Sequence, residues 1–248
     1  MISNDLVNYV TANGKSDLFV TLAKAETDLV ARRAYLDRLF QRNIFYSIKS
    51  QETIRTLWGL VKSDPDQKWR VIAISRMLAT SGITQLFDDP KETDWLFRWL
   101  IEEEQLANRG QLLSAMINNY SLRGKLLRQG HFGKLFQLVT KEPDAVRAQL
   151  LTRLISSTDA AKFFNNKEKT GQLITLATDF TNTKARRDYL IGLFHNHWVM
   201  TALVKHGHYE AVAKLAKNAE NAVDRAKLFG EFVKTQPVIE QLKKNGEL

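Results

Sequence analysis

Apolar residues along this chain gather into short blocks at a near-constant interval. "FVTLA" starts at Phe19, "LWGLV" at Leu57, "LFRWL" at Leu96, "LFQLV" at Leu135, "LITLA" at Leu173 and "VAKLA" at Val212, spaced 38, 39, 39, 38 and 39 residues apart. After each block and a polar turn comes an arginine with apolar residues at +3 and +7. These are Arg33 (Leu36, Phe40), Arg70 (Ala73, Met77), Arg109 (Leu112, Met116), Arg147 (Leu150, Leu154), Arg187 (Leu190, Phe194) and Arg225 (Leu228, Phe232), spaced 37, 39, 38, 40 and 38 apart. Apolar positions three, four and seven residues apart form one stripe of an α-helix. Two patterns sharing one period, six times each, predict an internal repeat of 38–39 residues.

Each copy reads as helices. The first block supplies two to three turns. Asp28, Asp66, Asp144, Thr183 and Asn221 precede the arginines at capping distance, with side-chain oxygens that can accept the orphan N–H groups of a helix start. A shorter apolar pair follows the arginine helix: Leu86-Phe87, Leu126-Leu127, Phe163-Phe164 and Leu203-Val204. It ends at a glycine stop in "RQGHFG" (128–133) and "KHGHYE" (205–210). No run alternates with period two for long enough to make a strand, so the fold class expected is all-α. The copies run approximately 16–53, 54–92, 93–131, 132–169, 170–208 and 209–248, with residues 1–15 as an N-terminal capping or partial-repeat helix. One copy cannot bury its own stripe, but stacked neighbours can. The expectation is a single right-handed α-solenoid domain over residues 1–248.

The stretches "SDPDQKWRVIAISRML" (63–78) and "KEPDAVRAQLLTRL" (141–154) resemble the HEAT repeat, in which an apolar helix leads through an Asp-Pro-Asp-like turn into a Val-Arg helix start. Copies three, five and six lack the proline, and the third short helix leans toward the armadillo variant. The resemblance implies that turn aspartates and Arg33, Arg70, Arg109, Arg147, Arg187 and Arg225 form a structural ladder between copies. It also implies that the second helix lines a concave face. Its exposed positions, taken at +2, +5, +6 and +9 from these arginines, offer Tyr35, Arg38, Arg42, Arg76, Gln111, Asn118, Gln149, Arg153, Tyr189, Asn196, Lys227 and Lys234 as partner-binding candidates.

Phase adds an expectation about the ends. Gly14, Gly130 and Gly207 each lie five residues before a block, and Gly246 matches them. The end segments are therefore caps or pieces of a longer array. The four prolines mark no linker. The absence of cysteine removes disulfides and thiolate chemistry and fits a reducing compartment, and no apolar run spans a bilayer. A cytoplasmic, non-membrane protein is expected.

The net charge is +9, and it is uneven: residues 1–124 hold 16 Lys/Arg against 15 Asp/Glu, and residues 125–248 hold 20 against 12. Such a surplus favours anionic partners. All five histidines, His131, His195, His197, His206 and His208, lie in the second half. Only Glu210 stands at ligand spacing beside them, so turn and cap roles are expected rather than a metal site. "NGKSD" (13–17) lacks the first glycine and the strand of a phosphate loop, and "IEEEQ" (101–105) reads as a solvated turn. Trp58, Trp69, Trp95, Trp99 and Trp198 fall on or beside apolar positions and read mostly as core.

No catalytic residue, cofactor or metal is expected. The reading is a non-catalytic scaffold binding a protein or peptide, acidic ones included, on its concave face. The alternative is a nucleic-acid-binding solenoid using the basic second half. Some DNA glycosylases also resemble HEAT-repeat proteins, and Asp94, Trp95 and Trp99 are the residues that reading would use. Nothing in the pattern sets an oligomeric state.

Overall fold

The computed structural model describes residues 9, 13, 15–41, 45, 48, 50–219 and 221–246. Gly14, Arg42 and most of the expected N-terminal segment 1–15 lie outside them. Among the described residues all regular structure is helical, in seventeen segments with no strand. The chain divides into two compact units, Met1–Lys125 and Leu126–Leu248.

The first unit contains α1 (Asp17–Ala25), α2 (Leu29–Gln41), α3 (Gln51–Lys62), α4 (Gln67–Leu78), a 3₁₀ segment (Ser81–Asp88), α5 (Pro90–Glu102) and α6 (Leu106–Asn118). Helix α7 (Tyr120–Arg128) crosses the division. The second unit continues with three trios: α8 (Phe132–Thr140), α9 (Asp144–Ile155) and α10 (Thr158–Phe163); α11 (Lys167–Asp179), α12 (Thr183–Phe194) and α13 (His197–Lys205); and α14 (Tyr209–Lys217), α15 (Ala222–Val233) and α16 (Gln236–Lys244). No helix among the described residues is long and apolar enough to cross a membrane.

Local chemistry sets the helix ends. The second helices start on side-chain caps: Asp28 accepts from Ala31 N at 2.8 Å, Asp66 from Trp69 N at 3.0 Å, Asn182 from Ala185 N at 2.9 Å and Asn221 from Asp224 N at 2.8 Å. Two expected caps differ. Thr183 opens α12 and Asn182 caps it, one residue earlier. Asp144 opens α9 after Pro143, and its carboxylate bonds elsewhere. Gly130 and Gly207 take φ of 82° and 81°. His131 N bonds Leu126 O and Gly130 N bonds Leu127 O; His208 N bonds Leu203 O and Gly207 N bonds Val204 O. These paired bonds across a left-handed residue form a Schellman stop, and glycine adopts that conformation without a Cβ penalty.

Within each unit, helices pack on their own kind in the next trio. Second helices stack as α2 on α4 on α6 and as α9 on α12 on α15; third helices stack as α10 on α13 on α16. The apolar residues at +3 and +7 are what these stacks bury. Leu36, Met77, Met116, Leu150, Leu154, Leu190, Phe194, Leu228 and Phe232 are all essentially inaccessible. Each contributes about 1.5–3 kcal/mol relative to exposure. The α9–α12 contact is tightest at Gly192, where a Cβ would lie 2.4 Å from Thr152 Cγ2.

Candidate functional site

The arginines do two different jobs. Arg70, Arg109 and Arg225 each reach back six residues to a carbonyl in their own turn: Asp64 O at 3.0 Å, Glu103 O at 3.5 Å and Ala219 O at 2.9 Å. Arg32, not Arg33, does the same to Glu26 O at 2.6 Å. These bonds tie the end of a first helix to the start of the second.

Arg33 instead spans to the next trio. It forks onto Asp64 at 2.6 and 2.9 Å and reaches Asp66 at 3.1 Å, and the bond to Asp64 raises its already high pKa. Arg187 similarly meets Asp224 at 2.8 Å, which lowers the Asp224 pKa. Arg147 combines both roles. It bonds Asp144 at 2.6 Å and the Asp179 carbonyl at 3.3 Å, with its guanidinium 4.3 Å from the Phe180 ring centroid. Asp144 in turn accepts from Asn182 N at 2.7 Å, Thr181 N at 2.8 Å and Thr181 Oγ1 at 2.9 Å. The Asn182 N–H is the largest cause holding its carboxyl below the usual range.

The twelve second-helix candidates separate. Gln111, Asn118, Gln149, Arg153, Lys227, Lys234 and Arg76 are exposed, and Tyr35 and Arg38 are half-buried. Arg42 lies outside the described residues. Two candidates are not on an exposed face at all. Tyr189 is 0 % exposed, packs 5.3 Å from Phe180 and donates to Leu173 O at 3.2 Å; burial pushes its hydroxyl pKa up. Asn196 is buried as the cap of α13: its side-chain oxygen accepts from Val199 N, and its nitrogen donates to Ile155 O in the preceding trio.

Both corrections have one cause. The residue equivalent to Arg70, Arg109 and Arg225 is Arg186, thirteen after Leu173 as Arg70 is thirteen after Leu57. Counting from Arg187 shifts the face by one. From Arg186, the +2 and +9 positions are Asp188 and His195, both reached by solvent.

The structure brings Gln149 and Arg153 together in a cleft of about 470 Å³ between α9 and α12. Buried Ala148 and Ala185 line it with Thr152 and the exposed Ala145, and Asn182, Lys184 and Asp188 join them. Lys184 pairs with Asp188 at 2.8 Å. Arg153 has no ion-pair or hydrogen-bond partner for its side chain among the described residues. The one-residue slip hid Asp188 from the sequence reading; spacing from the apolar block would have found it.

Lys234 lies across a second hollow of about 210 Å³ with His195, His197 and Glu231. His195 Nε2 is 3.1 Å from Glu231, and Lys234 also reaches Glu231 at 3.1 Å. The His195 bond is the larger of the two in lowering the Glu231 pKa. Among the described residues no three His, Asp or Glu side chains group as metal ligands. Trp58, Trp95 and Trp99 stack edge-to-face and tilted at 5.5 and 5.3 Å, with Lys62 over Trp95 and Arg70 over Trp99. Asp94 is exposed on α5, a first helix. Trp198, unlike the other tryptophans, is 58 % exposed.

No protein-family model, curated protein or solved structure matches this chain.

Proposed function

We propose that the chain is a right-handed α-solenoid of HEAT-like or armadillo-like trios acting as a non-catalytic scaffold, and that the α9–α12 cleft takes a short acidic segment of a protein partner. The observation that carries this reading is the lining of that cleft. A groove that tracks a phosphate backbone needs a continuous row of cations. Here cations and acids alternate. Lys184 is held by Asp188, and on the neighbouring second helix Lys234 is held by Glu231. The small lining residues leave room for side chains, and the volume falls within the roughly 300–1,000 Å³ of ligand sites. Gln149 and Asn182 offer amide groups to an extended backbone. Arg153, unpaired, supplies the fork for one carboxylate. A reducing, cytoplasmic setting suits a chain without cysteine.

The test is selection of binding peptides from a random displayed library, followed by titration of the winners. The expected result is enrichment of Asp or Glu, with binding weakened at least tenfold by Arg153→Glu. Winners that bind Arg153→Glu as tightly as the parent would sink the reading, as would a selection that enriches no acidic peptide.

A further inference from the structure

We propose that residues 126–248 carry a second binding surface, a basic edge that holds the phosphate backbone of nucleic acid without reading its sequence. This does not rest on the α9–α12 cleft. The edge is the corner where each third helix ends and the next first helix begins. Counted seven residues before the apolar blocks, that corner holds Arg128, Asn166 (followed by Lys167) and Lys205, and Lys244 lies two before Gly246 as Lys205 lies two before Gly207. Arg128, Lys167, Lys205, Lys243 and Lys244 are exposed, and none has an ion-pair partner among the described residues.

Contacts show that the corners adjoin. Phe132 packs on Phe163 with the rings tilted and 4.5 Å apart, and Lys169 Nζ lies 3.7 Å over the Phe163 ring. In the next step, His208 Nε2 is 3.1 Å from the carbonyl oxygen of Lys167. Helix α13, which ends at Lys205, then packs on α16, which ends at Lys244. Neighbouring helices of one stack stand about 8–10 Å apart, so the cations form a row rather than one cluster.

Helix capping explains only part of this charge. Cations in the last turns of α7, α13 and α16 suit the negative helix end. Lys167 does not: it is the first residue of α11, against the positive end that Glu168 beside it suits, whereas Lys169 rests on the Phe163 ring. A local electrostatic rule broken on a solvent-exposed corner points to a role outside the fold. The first unit shows what the fold alone accepts. Its corresponding helix starts carry Asp17, Glu52 and the pair Lys91-Glu92, and the corner before α5 is Asp88-Asp89.

The partner follows from what the edge lacks. Among the described residues of this unit the exposed large apolar ones are Trp198, Val223 and Phe229, and none of these is at the corners. A protein interface needs such anchors at its centre, and a membrane surface would be gripped by apolar insertion. A row of cations outnumbering Glu168, Glu210 and Glu247 in the same corner sequences fits repeated phosphates, where affinity comes from counterion release.

The test compares two variants of equal net charge by fluorescence anisotropy, using a labelled, mixed-sequence single-stranded RNA at about 50 to 200 mM NaCl. The edge variant combines Arg128→Gln, Lys167→Gln, Lys205→Gln and Lys244→Gln. The control combines Arg153→Gln, Lys184→Gln, Lys227→Gln and Lys234→Gln. Circular dichroism verifies that both keep their helices. The expected result is at least tenfold weaker binding by the edge variant, with the slope of log affinity against log salt reduced by roughly 2–3, from about 0.7 per lost phosphate contact. The control should stay within about threefold of the parent. Equal loss in both variants, greater loss in the control, no salt-dependent binding by the parent, or displacement of RNA by polyglutamate at matched charge would each overturn the proposal.

Discussion

The Asp144 carboxylate accepts the backbone N–H of Asn182 at 2.7 Å, so the start of α9 holds the start of α12. The same oxygen takes both donors of Thr181. Asp144→Ala should lower stability by about 1–3 kcal/mol at neutral pH, since it strands donors that a charged acceptor satisfied. The folded carboxyl titrates below its unfolded value of about 3.9. Its contribution is therefore complete above roughly pH 5 and is lost as pH falls through the folded value. Urea unfolding at neutral pH and near pH 3 checks this: the gap between parent and variant should shrink at the acid end.

Gly192→Ala forces α9 and α12 apart. The new Cβ would meet Thr152 Cγ2, Oγ1 and Cβ at 2.4, 2.5 and 2.9 Å, so a rotamer change at Thr152 cannot clear it. A loss of about 1–3 kcal/mol is expected from overpacking. Thr152→Ala in the same chain removes two of the three clashing atoms and should restore most of the stability. Thermal melts of the single and double variants give the comparison, and a double variant no better than Gly192→Ala would mean that the crossing is not what limits.

Asn196→Ala should cost about 2–4 kcal/mol, roughly 1 for the helix cap and the rest for the Ile155 carbonyl left buried without its donor. Asn196→Ser keeps a capping oxygen but cannot span to Ile155, so its melting point should fall between the two. The exposed Lys227→Ala should stay within about 0.5 kcal/mol of the parent.

Two glycines should respond in opposite directions. Gly207, at φ 81°, has open space around it, yet alanine there costs about 1 kcal/mol through the backbone alone. Gly230 lies inside α15, and nothing lies within 4 Å of a Cβ built on it. Gly230→Ala should therefore gain about 0.5–1 kcal/mol from helix propensity. Chemical denaturation of both variants decides the pair.

The all-α class was legible because apolar spacing is a direct trace of burial. Leu150, Leu190 and Leu228 are inside for the reason that made their period visible. The outer face was legible only where the reference arginine was right. In "ARRAY" and "ARRDY" two arginines adjoin, and an apolar residue follows either one at +3 or +4. The pattern therefore admits both registers. Tyr189 and Asn196 fell on the wrong side of that choice. The intended job of each arginine was hidden too, because a carbonyl six residues back carries no side-chain signature. Lys184 joined the cleft through the stacking of α9 on α12, a relation between segments nearly forty residues apart that local spacing does not contain.

The bonds from Arg32 to Glu26, Arg70 to Asp64, Arg109 to Glu103 and Arg225 to Ala219 all close a loop of the same six-residue length. That constancy governs which changes in chain length this architecture absorbs. A duplication or deletion of a whole 38- or 39-residue block leaves every such closure intact. One residue added between a carbonyl and its arginine swings the guanidinium by a quarter-turn of helix or more and severs the join. The lineage of such a chain is therefore free to grow in whole blocks and rigid in single letters.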